Sequence, residues 1–263
     1  MRVITLASSS KGNCVLVYSE NTKVLIDVGI KLEDVERKLK LLNINPAEID
    51  GILNTHEHID HCKSIGAFMR KYGTMLYCHF DGTEALCKRL GKINGKCVNC
   101  FSDVPFQIGE FTIYPFKLPH DAKSCVGYTI EYKNKRMSYA TDLGHISPSI
   151  VENLLNSRLV ILEANHDETM LLNNPKYSYV LKQRILGKNG HLSNSLSAQV
   201  VEKCALSGVK QIVLAHLSEE NNTPEICYNT ICTYLESVGI IEGVNIKIEI
   251  SPPHDMGALF VLK

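Results

Sequence analysis

Residues 55–61 read Thr-His-Glu-His-Ile-Asp-His and place His56, His58, Asp60 and His61 directly after the apolar run Gly51-Ile52-Leu53-Asn54. Imidazole and carboxylate are the donor types that suit zinc, manganese and iron. On extended backbone alternate side chains share a direction, so His56, His58 and Asp60 can converge. His61, opening the next helix, offers a fourth donor from another angle. One histidine beside a carboxylate is ordinarily a hydrogen-bonded pair. Four such donors crowded together would be costly to arrange without a metal to hold, so a metal site is the expectation.

A centre of that size calls for partners further along the chain. Three residues stand out: His120 in Lys-Leu-Pro-His-Asp, Asp142 in Ala-Thr-Asp-Leu-Gly and His216 in Val-Leu-Ala-His-Leu. Each follows a strand-like apolar stretch, respectively 111–118, 137–140 and 211–215. Residues at strand ends stand on a rigid scaffold and face the loops where sites are built. Singly, each is an ordinary strand-end residue; their joint appearance after the histidine-rich run gives them weight. A further histidine, His191 in Gly-His-Leu-Ser-Asn, precedes a helical pattern that Ser193 or Asn194 can cap. Free backbone N–H groups at such a helix start favour anions.

The ordered set HxHxDH, His, Asp, His resembles the signature of the metallo-β-lactamase superfamily, and Leu-Ile-Asp-Val-Gly at 25–29 resembles that superfamily's first motif. The resemblance covers nearly the whole chain. It implies a four-layer αβ/βα sandwich of the α/β class and a centre of two divalent metal ions, Zn, Mn or Fe. By the same likeness His56, His58 and His120 would hold one ion, Asp60, His61 and His216 the second, and Asp142 would bridge them. Asp27 would buttress the ligand loop, as carboxylates behind ligating histidines do. The commonest β-lactamases carry cysteine where this chain has Asp142, and flavo-diiron proteins carry glutamate where it has His58. Hydrolysis is the chemistry left.

Four strings narrow the resemblance: Leu-Ala-Ser-Ser-Ser-Lys-Gly-Asn-Cys (6–14), Leu-Glu-Ala-Asn-His-Asp (162–167), Arg-Ile-Leu-Gly (184–187) and Gly-His-Leu-Ser-Asn (190–194). Together they are similar to the YycJ/WalJ-type exonuclease branch. The activity this implies is a metal-dependent phosphodiesterase, a 5′-to-3′ DNA exonuclease using a dinuclear metal-activated hydroxide on DNA, double-stranded by preference. In that scheme Asp60 binds metal and steers the attacking proton. His191, supported by Glu163, stabilises the developing charge or protonates the leaving oxygen. Glu163 matches the family's acidic motif, although Asn165 stands where a threonine is usual. A small-molecule hydrolase of the same fold, acting on a thioester, lactone or cyclic phosphodiester, is the alternative, and a metal-binding regulatory protein without catalysis is a third reading.

The elements that must position these residues alternate strand and helix, with no internal repeat. Short strands are expected at 2–7, 13–18 and 23–27. Val35, Leu39 and Leu42 form one helical face; Ile65, Phe68, Met69 and Tyr72 form another. A strand-rich middle near 97–141 precedes helices near 148–155, 177–186 and 195–206, the last with Leu196, Val200 and Cys204 on one face. A helix at 224–238 and strands near 245–250 and 258–262 close the chain. Segments 99–105 and 172–179 read as loops. One domain over 1–263 is expected, since this length buries a single sizeable core.

Composition sets the outer bounds. Formal net charge is +0, so the chain does not announce a nucleic-acid binder by global charge, although its cations cluster at Lys88–Lys96, Lys133–Arg136 and Lys182–Lys188. Ten cysteines occur without a disulfide framework, and Cys97 and Cys100 make a CxxC with no second pair. Free thiols in a reducing, cytoplasmic setting are the expectation. No run approaches a membrane span.

Overall fold

The computed structural model describes residues 1–262. Strand β1 (Arg2–Ser9) is buried at every position after Arg2, as expected of a sheet covered on both faces. It pairs antiparallel with β2 (Gly12–Tyr18), which pairs antiparallel with β3 (Lys23–Ile26). From β3 onward the sheet turns parallel, through β4 (Gly51–Leu53), β5 (Met75–His79) and β6 (Val98–Phe101). Helices α1 (Leu32–Leu41), α2 (Ile59–Cys62), α3 (Ile65–Tyr72) and α4 (Thr83–Leu90) make the crossovers such pairing needs.

The second sheet repeats the plan. Strands β7 (Phe106–Ile108), β8 (Phe111–Lys117), β9 (Val126–Tyr132) and β10 (Lys135–Ala140) form an antiparallel meander. Strands β11 (Leu159–Glu163), β12 (Gln211–Ala215) and β13 (Lys247–Ile250) then extend β10 in parallel. The crossovers carry α5 (Pro148–Leu154), α6 (Glu168–Asn173), α7 (Tyr179–Leu186), α8 (Asn194–Leu206) and α9 (Pro224–Ser237). The short β14 (Phe260–Val261) returns to the edge of the first sheet, antiparallel to β1.

Three apolar clusters define the layers. Val17, Leu53, Tyr128 and Ile161, among others, fill the space between the two sheets. Val35, Leu39 and Phe68 seal the outer face of the first sheet beneath its helices. Ile150, Val201 and Ile231 do the same for the second. Helix, sheet, sheet and helix make four layers, the αβ/βα sandwich. Each fully buried Leu, Ile or Phe contributes about 1.5–3 kcal/mol.

Several boundaries differ from expectation. Segment 99–105 is a loop only after Phe101, because exposed Asn99 and Cys100 belong to an edge strand paired with β5. An edge strand with polar faces lacks the apolar alternation that marks a buried one. The expected loop at 172–179 starts within α6, which Asp167 caps through Met170 N at 2.8 Å. On α8, Val200 and Cys204 are buried whereas Leu196 is 40% exposed, so the expected face is narrower than its spacing suggested. Helix α4 and strands β5 and β11 stood out in no sequence pattern.

Candidate metal centre

Site residues cluster where parallel strands end, the usual place for a site in such sheets. Asp27 follows β3, Asn54 to His58 follow β4, Asp142 follows β10, Glu163 ends β11 and His216 follows β12. Asp27, Asp142 and His216 adopt positive φ of 59°, 65° and 58°. This left-handed backbone costs a non-glycine residue roughly 1–2 kcal/mol. It turns each side chain abruptly off its strand, and such strain gathers at functional sites.

The histidine-rich run and its distant partners meet in one place. Donor atoms of His56, His58 and His120 lie within 4.8 Å of one another, as do those of Asp60, His61 and His216. Asp142 stands between the two groups. Its Oδ2 is 3.1 Å from His61 Nε2, and its Oδ1 is 3.5 Å from His216 Nε2 and 3.7 Å from His120 Nε2. His61 sits inside the single-turn helix α2, so it approaches from a different side than His56.

The surrounding protein decides which nitrogen each ring presents. His61 Nδ1 donates to Asp27 Oδ2 at 2.7 Å, His216 Nδ1 donates to Glu163 Oε1 at 2.8 Å, and His120 Nδ1 donates to the Gly190 carbonyl at 3.1 Å. Since a carbonyl or carboxylate can only accept, these Nδ1 atoms carry the proton and Nε2 faces the cluster. His56 Nε2 is buried without a hydrogen-bond partner among the described residues, and Asp142 Oδ2, although 3.1 Å from His61 Nε2, lacks hydrogen-bond geometry to any of them. An orphaned buried donor or acceptor is costly. Both residues belong to one nitrogen and oxygen donor set with His61, within 4.8 Å of one another, which fits divalent cations of the zinc, manganese and iron kind.

Charge distribution follows from burial and proximity. Burial opposes charging His61, but Asp142, Asp60 and Asp27 outweigh it and hold its pKa well above the ordinary value. Burial likewise opposes His216, and Asp142, Asp60 and Glu163 push it up to about 10. His56 goes the other way, held well down by burial and by the neighbouring His61. Burial would raise the carboxylates, yet the surrounding histidines keep Asp60 and Asp142 well below the usual range and Glu163 at about 2.

Beside this cluster, His191 Nδ1 lies 2.8 Å from Glu163 Oε1 and 3.6 Å from Asp142 Oδ1. Glu163 is fully buried and accepts also from the backbone N–H of Leu143 at 3.1 Å and of Leu192 at 3.0 Å. Burial lowers the pKa of His191, but Glu163 and then Asp142 more than compensate and raise it above the ordinary histidine value. Ser193, not Asn194, caps α8, its Oγ accepting from Leu196 N at 3.3 Å.

His56, His58, Asp60, His61, His120, Asp142, Glu163, His191 and His216 therefore lie in one locus. Sequence reasoning missed several supports. Thr55 Oγ1 donates to Asp27 Oδ2 at 2.8 Å and lies 3.0 Å from His56 Nδ1. Asn13 Nδ2 lies 3.2 Å from His61 Nε2, and Asn165 Nδ2 donates to the His216 carbonyl at 2.9 Å. Their only signal was adjacency to the distinctive strings. All ten cysteines are free, and Cys97 and Cys100 join none of the donor groups among the described residues. Lys11 is ion-paired with Glu219 at 2.5 Å. Of the remaining histidines, His79 and His166 are buried and His145 and His254 lie at the surface.

Comparison with known proteins agrees with this geometry. A family model described as a Beta-lactamase superfamily domain matches residues 22–217. The chain is 33% identical over 251 residues to the Exodeoxyribonuclease WalJ of Streptococcus pneumoniae serotype 2, covering 94% of this chain and 93% of that one. It is 31% identical over 250 residues to the Exodeoxyribonuclease YycJ of Bacillus anthracis, covering 94% of each. Among solved structures, the metallo-beta-lactamase fold protein YhfI from Bacillus subtilis superimposes with a TM-score of 0.73 over 98% of each chain, at 18% identity.

Proposed function

This chain belongs to the beta-lactamase superfamily, in the family of the exodeoxyribonucleases WalJ and YycJ, and from that premise we propose that it is a metal-dependent exonuclease that hydrolyses phosphodiester bonds at DNA ends. The whole 263-residue chain acts as one domain in this reading. His56, His58 and His120 would hold one divalent ion, Asp60, His61 and His216 a second, with Asp142 shared. Such ions supply a water molecule acidic enough to be deprotonated near neutral pH and neutralise charge on phosphoryl oxygens.

The protein's own groups carry the rest. Asp60, 3.4 Å from His216 Nε2 and partly open to solvent, would orient the proton of the attacking water. Glu163 behind His191 accepts from its Nδ1 and raises its pKa above the ordinary histidine value. The Nε2 edge of His191 can donate to the oxygen that leaves phosphorus, where a proton or a positive charge lowers the barrier. Asp27, Thr55 and Glu163 fix ring orientation, which keeps the donors aligned before substrate arrives.

The observation that carries this reading is the His191–Glu163 pair set against the Asp142-centred cluster. A centre that only had to bind metal has no use for a carboxylate-backed histidine at its margin; a centre that expels a poor alkoxide leaving group does. Ten free cysteines suit a reducing, cytoplasmic setting. Among the described residues no helix is long and apolar enough to cross a membrane.

The deciding experiment is digestion of end-labelled linear duplex DNA with manganese, beside an Asp142→Ala control. Stepwise loss from the 5′ end, absent in the variant, supports both the activity and its polarity. If the wild type binds two metal equivalents and leaves DNA intact, hydrolysis of a small thioester, lactone or cyclic phosphodiester becomes the better account.

A further inference from the structure

Residues 169–190 contain Lys176, Lys182, Arg184 and Lys188 and no acidic residue, in a chain whose overall formal net charge is +0. Helix α7 lies within this stretch and buries none of its residues. Tyr179 is 75% exposed and Val180 76%. An eight-residue helix without a packed face is marginal on its own, so something must hold this one in place. Its C-terminal end is tied to the metal centre: His191 N donates to the Ile185 carbonyl at 2.9 Å, and the Gly190 carbonyl accepts from His120 Nδ1. Arg184 pairs with Asp121. The N-terminal end has the Ser178 cap, Oγ accepting from Leu181 N at 3.2 Å, a bond from Lys182 Nζ to the Leu172 carbonyl at 2.6 Å, and an exposed ion pair of Lys176 with Glu220 at 2.7 Å.

The inner side of the same segment walls a cavity of about 170 Å³. Tyr177, Leu181 and Ile185 supply its apolar and aromatic lining, and His191, Asn165 and the ion-paired Arg184 and Asp121 line it too. Because Asn165 spends Nδ2 on the His216 carbonyl, its Oδ1 is left as the acceptor on that wall. Aromatic and apolar surface beside a candidate proton donor, backed by a run of cations, matches one ligand chemistry: an unpaired base with its phosphates.

We propose that Lys176–Lys188 is a shelf that holds a single-stranded nucleic-acid end, with a base seated against Tyr177, Leu181 and Ile185 in the cavity beside His191 and the phosphates tracking along Lys176, Lys182 and Lys188. This rests on the nuclease reading above and deepens it. Base faces are covered in an intact duplex, so the shelf engages a frayed or overhanging end. Exposed Tyr179 extends the stacking surface outward, and Lys182 and Lys188, in no ion pair among the described residues, let the shelf attract phosphate although the whole chain is neutral.

The test compares Tyr177→Ala/Tyr179→Ala and Lys176→Glu/Lys188→Glu double variants with wild type on two substrates, a duplex with a single-stranded tail and bis-p-nitrophenyl phosphate. Binding of a fluorescein-labelled single strand is followed by anisotropy in EDTA. Loss of stacking should weaken strand binding about tenfold per base, and charge reversal should flatten its salt dependence. Both variants should raise KM for tailed DNA and leave hydrolysis of the small diester unchanged. Variants that bind and cleave tailed DNA as wild type does, or that lose both substrates equally, overturn the shelf. So does a concentration-dependent dimer that Tyr179→Lys dissociates, because the surface then belongs to a second copy of the chain. Failure of the nuclease reading shows separately, in a wild type that cleaves no DNA end. Variant-sensitive strand binding in that case would keep the shelf and discard the exonuclease.

Discussion

His191 and His216 share one hydrogen-bond acceptor: Nδ1 of each lies 2.8 Å from Oε1 of Glu163. A single buried carboxylate thus orients a candidate metal ligand and a candidate proton donor together. Removal of His191 and removal of Glu163 should therefore differ in kind. His191→Ala should keep its metal and lose about 10²–10⁴-fold in turnover. Glu163→Gln, whose amide has one oxygen for four donors, should lose turnover and bound metal alike. Metal analysis beside kinetics on one DNA substrate separates them, and equal activity in His191→Ala would sink the role given to that residue.

Asp27 accepts from Thr55 N at 2.9 Å, Thr55 Oγ1 at 2.8 Å, Asn54 Nδ2 at 3.1 Å and His61 Nδ1 at 2.7 Å. It is the clasp that closes the ligand loop onto β3. Asp27→Asn presents an amino group to donors that need an acceptor and should weaken metal affinity by about 10–100-fold. Competition with a chromogenic chelator measures this. An unchanged affinity would mean that the loop holds its shape without the clasp.

Gly29 packs so closely against the same loop that a Cβ there would lie 1.6 Å from the Asp60 carbonyl oxygen. Gly29→Ala must displace the backbone that carries Asp60, at a cost of about 3 kcal/mol or more. Gly95, with nothing within 4 Å of its Cβ position, is the matched control and should tolerate alanine. Thermal unfolding and metal content of the two variants should diverge; parallel behaviour would contradict the close approach.

Metal uptake should acidify the solution. His216, with its pKa near 10, is protonated at pH 8 in the metal-free protein, and His61 lies well above its ordinary value as well. A ligating nitrogen must give up that proton, so loading at pH 8 should release on the order of two protons and weaken as pH falls. Titration of metal into unbuffered protein with an indicator dye reads the release directly. No acidification would show that both rings are neutral before the ion arrives.

Buried His166 has neither ring nitrogen hydrogen-bonded, and burial lowers its pKa from 6.5 to about 4. The unfolded chain therefore takes up this proton first as pH falls. The stabilisation is fully present above pH 6.5 and is lost as pH drops to the folded value, about 3 kcal/mol for this shift. Wild type should lose stability between pH 6.5 and 4 by that much more than His166→Phe in chemical denaturation. Parallel pH profiles would place the acid sensitivity elsewhere.

The chemistry of this protein is written locally at one point. His56, His58, Asp60 and His61 are close because backbone alternation and a single helical turn make them close, so their donor set was legible in sequence. His120, Asp142 and His216 were legible as strand-end residues of the right type, and the superfamily resemblance supplied their grouping. Residue order does not encode the distances between them. Those arise because β3 and β4 in one sheet, and β10, β11 and β12 in the other, run parallel and bring their carboxyl ends to a common edge. Only that packing puts Asp142 between the two donor groups, sets Glu163 behind both His191 and His216, and recruits Asn13 and Thr55. The exposed part of edge strand β6 from Asn99, and helix α6, stayed hidden for a related reason: their residues lack the apolar periodicity of buried elements, and they are held by neighbours distant in the chain.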